Sequence, residues 1–214
     1  MNDLVQITLL SLGVSGIATA ISLLIGLPLG TVLALSVFRS RGLVLSVVNT
    51  GMALPPVVAG LAIALMLWRS GPLGDLNLIY TPTAIVIAEV VIATPVILGL
   101  AAAGIGQLDP RLQLQLQGLG ASRLQTVWWL WREARLSLLA ALMAGFGSVI
   151  SEVGAAMMVG GNISGQTRVL TTAMVLDVGR GDFSSAIKLA GILLTLAFLV
   201  NGVLTWAQQS GQRR

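Results

Sequence analysis

Leu119-Gly120-Ala121-Ser122 lies inside a polar loop, residues 106–135, that carries four arginines and two acidic residues between two long apolar stretches. Gly120 and the polar Ser122 read as an elbow between two short helices. A chain that keeps one structured, basic loop beside so much apolar sequence is expected to present that loop to a partner in the cytoplasm.

Outward from the elbow the sequence is hydrocarbon. Of 214 residues, 56% are apolar and 9% are charged, against about 45–50% and about 25% in soluble domains. A water-soluble globule is excluded. Five stretches have the roughly 20 apolar residues a bilayer crossing needs: 5–38, 43–68, 80–105, 136–159 and 190–207. The first exceeds an upright span, which implies tilt or an interfacial turn. Trp68, Trp128, Trp129, Trp131 and Trp206 fall near the ends of these stretches, where amphipathic rings prefer to sit. The expected fold is all-α, a polytopic membrane protein of about five transmembrane helices in a single domain over 1–214.

The formal charge of +4 matters by location. Loops 38–42, 106–135 and 208–214 hold Arg39, Arg41, Arg111, Arg123, Arg132, Arg135, Arg213 and Arg214, eight of the twelve basic residues. An excess of Lys and Arg inside sets topology, so the N-terminus is expected outside and the C-terminus in the cytoplasm. Met1-Asn2-Asp3 lacks the basic start of a cleaved signal peptide, and none is expected.

Cysteine and histidine are both absent. That removes thiol nucleophiles, disulfides, thiolate or imidazole metal sites and Ser-His-Asp arrangements. No GxxxxGK[ST] loop is present either. The chain is therefore expected to be no enzyme, with no catalytic residue, metal or cofactor of its own, and any ATP chemistry belongs to another subunit. Its scattered basic residues give no nucleic-acid surface.

Proline and carboxylates interrupt the apolar stretches. Gly26-Leu27-Pro28-Leu29-Gly30, Pro55-Pro56 and Thr94-Pro95 fall in the first three. Each is expected to break or kink a helix beside a neighbour or aqueous cavity that satisfies the freed carbonyls. Glu89 and Glu152 are the ionisable residues within spans and are expected to face the protein interior or a water-filled path. In the outer loop, about 160–188, residues 169–176 are too short to cross and read as an interfacial or re-entrant helix. Asp182 is placed to cap the last helix.

The basic loop can be resolved further. Asp109 is a good N-cap with Pro110 at the first helical position, and Gly118 and Gly120 end that helix. Ser122 and Gln125 have capping-box spacing, opening a second helix at Arg123 that runs through the tryptophans into the fourth span. Leu112, Leu114 and Leu116 alternate with glutamine, a strand period. A lone strand would have no partner there, so a helix is expected.

This helix-Gly-helix elbow resembles the coupling loop of ABC importer permeases with the type I, methionine-permease-like fold. Their signature is Glu-Ala-Ala, three residues, Gly, then a spaced Ile-x-Leu-Pro. Aligned on Gly120, those positions hold Leu114-Gln115-Leu116 and Leu130-Trp131-Arg132-Glu133. The glycine matches, while the acidic head and terminal proline differ. Residues 52–61 and Arg69-Ser70-Gly71-Pro72-Leu73-Gly74 resemble oxyanion permeases. Arg132-Glu133-Ala134-Arg135, residues 151–163 and 168–173, and Gly181-Asp182-Phe183 are similar to the tungstate-type permeases in particular. The likeness covers nearly the whole chain.

The resemblance implies a prokaryotic inner-membrane importer. In it two copies of the chain, embedded in lipid, pair around a central path. ATPase subunits carrying ATP and Mg dock beneath, and an extracytoplasmic oxyanion-binding protein delivers tungstate, with molybdate or sulfate as runner-up substrates. The coupling surface would comprise Asp109, Pro110, Gly118, Leu119, Gly120, Ala121, Ser122 and Arg123. In it Gly120 would allow close backbone approach, Ala121 would keep the contact small and Ser122 would fix the next helix. Candidates for the path or gate are Pro55, Pro56, Glu89, Pro95, Glu152, Gly154, Met157, Gly160, Gly161 and Asn162. A carboxylate repels a dianion, so Glu152 is expected to hold a broken helix or bridge the dimer, with its neighbouring glycines packing closely. No Lys or Arg falls in the five stretches. A weak, transient path lined by Ser, Thr, Gly and backbone is expected, with selectivity left to the binding protein. From another class, an ATPase-independent channel, a secondary transporter or a membrane scaffold would lack any need for the capped helix pair.

Overall fold

The computed structural model describes residues 2–210; Arg213 and Arg214 of the charge argument lie outside the described residues. The helices are α1 (Asn2–Leu35), α2 (Arg41–Met52), α3 (Pro56–Leu67), α4 (Pro82–Gly106), α5 (Pro110–Gly118), α6 (Arg123–Glu133), α7 (Arg135–Ile150), α8 (Gly154–Gly160), α9 (Leu170–Gly179) and α10 (Phe183–Ser210), with a 3-10 turn at Gly74–Leu76. No strand occurs among the described residues, which disposes of the strand reading of 112–116. By length and apolarity α1, α4 and α10 can each cross a membrane. Counting each of two bent pairs as one span raises the number to as many as five: α2 with α3, at 96°, and α6 with α7, at 74°.

The breaks fall differently from the sequence expectation. Pro28 and Pro95 lie inside the unbroken helices α1 and α4. Hydroxyls bridge the adjoining turns: Thr31 Oγ1 donates to the Leu27 carbonyl at 2.7 Å, and Thr94 Oγ1 to the Val90 carbonyl at 2.6 Å. Neighbouring helices let a membrane helix continue through proline; the carbonyls these hydroxyls reach are not the ones the prolines leave free, those of Leu24 and Val91. Only Pro55-Pro56 separates two helices. Pro56 occupies the first position of α3, where a missing N–H removes no intrahelical bond.

The stretch 136–159 is not one span. α7 stops at Ile150 and α8 starts at Gly154, so Glu152 sits in a break rather than within a helix. Nor does α6 run straight into α7, since the chain turns at Ala134. The last helix starts at Phe183, not 190, which places Lys188 on its exposed second turn.

Small residues explain how the helices meet. α1 packs along α4 more extensively than any other pair. A Cβ at Gly30 would stand 2.7 Å from the Leu98 carbonyl oxygen, and one at Gly26 3.1 Å from the Leu98 nitrogen. With no water to expel inside a bilayer, close backbone approach at such residues is what drives helices together. One face of α1 adds buried hydroxyls at Ser11, Ser15, Thr19 and Ser22. The main core gathers Val14, Ala59, Ile63, Ile85, Ala155 and Val159 from α1, α3, α4 and α8. α9 and α7 support α10, whose Leu194, Phe198 and Val203 are exposed.

Candidate functional site

The elbow is built from local hydrogen bonds. Arg111 N–H donates to Asp109 Oδ1 at 2.8 Å, with Pro110 at the first position of α5. The helix closes as Gly120 N–H donates to the Gln117 carbonyl and Ala121 N–H to the Leu116 carbonyl. Gly120 has φ +81°, in the left-handed region, and a Cβ there would meet nothing within 4 Å. Within this chain the glycine is needed for its dihedral angle, not for space. Ser122 N–H then donates to Gln125 Oε1 at 2.8 Å, and Gln125 N–H to Ser122 Oγ at 3.3 Å, a complete capping box.

The elbow protrudes. α5 buries no residue, and Leu119 and Leu124 are 85% and 84% exposed. Both leucines flank the Gly120 turn among polar residues. A cleft of about 360 Å³, lined by Leu35, Gln113, Gln117, Ala121, Thr126 and Val127, separates α5 from the end of α1. α6 is seated instead of α5: Thr126 and Leu130 are buried. Trp131 Nε1 donates to Thr31 Oγ1 at 2.8 Å. Arg132 lies over the Trp129 ring, 5.2 Å from its centroid.

The second set of residues lies where the two broken helix pairs meet. Gly60 of α3 faces Ala155 of α8, where an added Cβ would come within 2.5 Å of the Ala155 Cα. Gly154 sits against Val57, just past Pro55-Pro56. Glu152 Oε1 accepts from Ala155 N–H at 2.9 Å, and the Glu152 carbonyl accepts from Thr171 Oγ1 at 2.7 Å. The Glu152 side chain thus takes up an N–H of the first turn of α8 across the break. Met157 and Met158 project from the exposed side of α8.

Other candidates are placed elsewhere. Pro95 packs under Gly51 at the end of α2. Gly160 abuts Ile85, and Gly161, at φ +68°, abuts the Tyr80 ring. Asn162 belongs to a loop lock: Arg168 Nε and Nη2 donate to its Oδ1 and carbonyl at 3.2 and 3.3 Å. Its own Nδ2 donates to the Thr172 carbonyl. Glu89 is 3% exposed on α4, with Ser15 as hydrogen-bonding neighbour and Glu152 within electrostatic range. Its Oε2 has no hydrogen-bond partner among the described residues. Sequence reading missed Gly60, Ala155, Thr31 and Trp131 as contact residues. Small residues in a span hinted at the first two, while nothing local pairs the last two.

Known proteins match this architecture. Residues 26–210 fit the family described as binding-protein-dependent transport system inner membrane component. The tungstate uptake system permease protein TupB of Peptoclostridium acidaminophilum is 39% identical over 95% of this chain and 89% of its own length. A probable anion ABC transporter permease protein of Haloferax volcanii is 37% identical over 94% of this chain and 88% of its own. In fold, a chain of the inward-facing MetNI methionine ABC transporter superposes with a TM-score of 0.80 at 17% identity, covering 99% of this chain and 97% of that one. The chain therefore belongs to the inner membrane components of binding-protein-dependent transport systems, as a multi-pass permease with the type I ABC importer fold.

Proposed function

We propose that this permease pairs with a second copy of itself to import tungstate, driven by ATP hydrolysed on a separate subunit docked at the α5–α6 elbow. The likeness of 95% of the chain to a tungstate uptake permease carries the substrate assignment. The exposed elbow supports the docking, because two capped short helices with protruding leucines form a rigid, apolar contact. Docking there puts the elbow and the C-terminus in the cytoplasm and the N-terminus outside, in line with the arginine bias. The loop lock around Asn162 then faces outward, where an oxyanion-binding protein would dock.

The sequence of events follows from these parts. The binding protein delivers the anion to the outer mouth, and ATP with Mg closes the ATPase pair beneath. The elbow moves as a unit, because its caps tie both short helices to the turn between them. The bent pairs α2–α3 and α6–α7 absorb the change in angle. Glu152 keeps α8 in register rather than touching the anion, and Glu89, when ionised, would repel a dianion rather than bind it.

Co-purification and reconstitution test this reading. The tagged permease in mild detergent should retain an ATPase subunit. In vesicles with that subunit and the loaded binding protein, tungstate uptake should require ATP. Uptake without an ATPase would make the chain a channel or secondary transporter, and faster uptake of molybdate or sulfate would reassign the substrate.

A further inference from the structure

We infer that Trp131 and Thr31 form the strut through which motion of the elbow enters the membrane bundle, making both of them positioning residues for transport. The inference rests on the ATPase docking at α5–α6. It starts from a loose fit: α5 has no fully buried residue, and a cleft lies between it and Leu35 at the end of α1. Besides its chain link to α4 through residues 107–109, a push on α5 has a second route into the spans. It passes through the turn and the Ser122–Gln125 capping box into α6.

α6 has one side-chain hydrogen bond to a membrane-spanning helix among those resolved for its residues. Trp131 Nε1 donates to Thr31 Oγ1 at 2.8 Å, across 100 residues of sequence. Thr31 is 4% exposed, and its hydroxyl hydrogen is already committed to the Leu27 carbonyl at 2.7 Å. The hydroxyl is thus fixed as an acceptor toward the indole, and the indole can only donate. Two residues further along α1, Arg41 Nε of α2 donates to the Leu33 carbonyl at 3.2 Å, so α2 is fastened to the same end of α1.

What happens beyond Thr31 follows from packing. The adjacent Gly30 lies so near Leu98 and Ala101 that even a methyl group would not fit. Close-packed interiors transmit displacement rather than absorbing it. The end of α1 cannot shift without carrying α4, and α4 packs on α7 and α8. A displacement of α6 at Trp131 thereby reaches both the continuous spans and the breaks around Glu152.

The test uses the complete importer in vesicles, with tungstate as probe and tungstate taken up per ATP hydrolysed as the readout. Trp131→Phe keeps the ring and removes the donor, and Thr31→Val keeps the volume and removes the acceptor. Each should retain the ATPase subunit and its ATP hydrolysis while uptake per ATP falls about fivefold, the factor that one neutral hydrogen bond carries. Thr31→Ser keeps the hydroxyl and should stay near the parent ratio. The double variant should be no worse than either single one, as expected for two ends of one contact. An unchanged ratio in both single variants, additive losses, or an equal loss in Thr31→Ser would each overturn the strut. If the parent permease itself fails to retain the ATPase, the docking reading falls instead. Retained docking with an unchanged ratio removes the strut alone.

Discussion

The α1–α4 seam and the α5–α6 elbow are stabilised by opposite means. The seam is tertiary: Gly26 and Gly30 bring two backbones together along helices far apart in sequence. The elbow's turn is local: the bonds that cap α5 and open α6 span two or three residues, and α5 has no fully buried residue. The difference separates rigidity from anchorage. The seam can move only as a unit with the bundle, whereas the elbow keeps its own shape wherever it is carried. A part meant to be gripped by another subunit needs that second property.

The comparison is broken most severely at Gly30. A Cβ there would lie 2.7 Å from backbone oxygen, which no rotamer relieves. Gly30→Ala should destabilise the bundle by about 1–3 kcal/mol, the usual range for overpacking. Gly16, on the same helix with nothing within 4 Å of an added Cβ, is the control. Gly16→Ala should be neutral or stabilising by up to roughly 1 kcal/mol, because alanine lowers the entropy lost on forming a helix. Thermal unfolding in detergent measures both, and equal effects would mean that the seam is not set by backbone approach.

Gly120 tests the elbow in the same terms. Its φ of +81° costs other residues about 1–2 kcal/mol. Gly120→Val should therefore abolish ATP-driven uptake while insertion and bundle melting stay unchanged. Gly120→Asn should retain part of the uptake, since asparagine tolerates the left-handed region. If both variants transport normally, the turn is not the part gripped by the ATPase. A smaller effect is expected at Ser122. Ser122→Ala removes the Oγ acceptor of the capping box and should loosen the start of α6 by about 1 kcal/mol. Hydrogen exchange at Gln125 and Thr126 reads it, and exchange in the α1–α4 seam should not change.

The same contrast explains what the sequence disclosed. The caps at Asp109 and Ser122 were legible because donor and acceptor lie within three residues of each other. Pro28 and Pro95 read as breaks or kinks because sequence does not show α4 packed along α1. The break at Glu152 had no local mark. It depends on Thr171, 19 residues away, and on α3 pressing against Gly154. The Trp131–Thr31 bond, joining positions 100 residues apart, lies beyond any periodicity. Local chemistry was readable from the chain, and long-range contact was not.

Asp182 gives the smallest and most graded effect, and it extends the comparison to another local cap, at the start of α10. Ser185 holds the Asp182 carboxyl below its ordinary value, through its side chain and then its backbone N–H, which donates to Oδ1 at 3.1 Å. Lys188 adds a weaker pull in the same direction. A depressed value means that the carboxylate stabilises the folded helix start above the ordinary carboxylate pKa, and that this contribution is lost as pH falls through the lowered one. Protection of the Ser185 amide should accordingly be constant from neutral pH down to the ordinary carboxylate range, then decline in more acidic solution. Asp182→Asn keeps a capping oxygen without a titrating group. It should match the parent at neutral pH and show no acid decline. Lys188→Ala should shift the decline slightly toward higher pH without removing it. A parent profile as flat as that of Asp182→Asn would mean that α10 starts by packing on α9, not by its cap, and the division between locally and tertiarily held parts would then not extend to the outer loop.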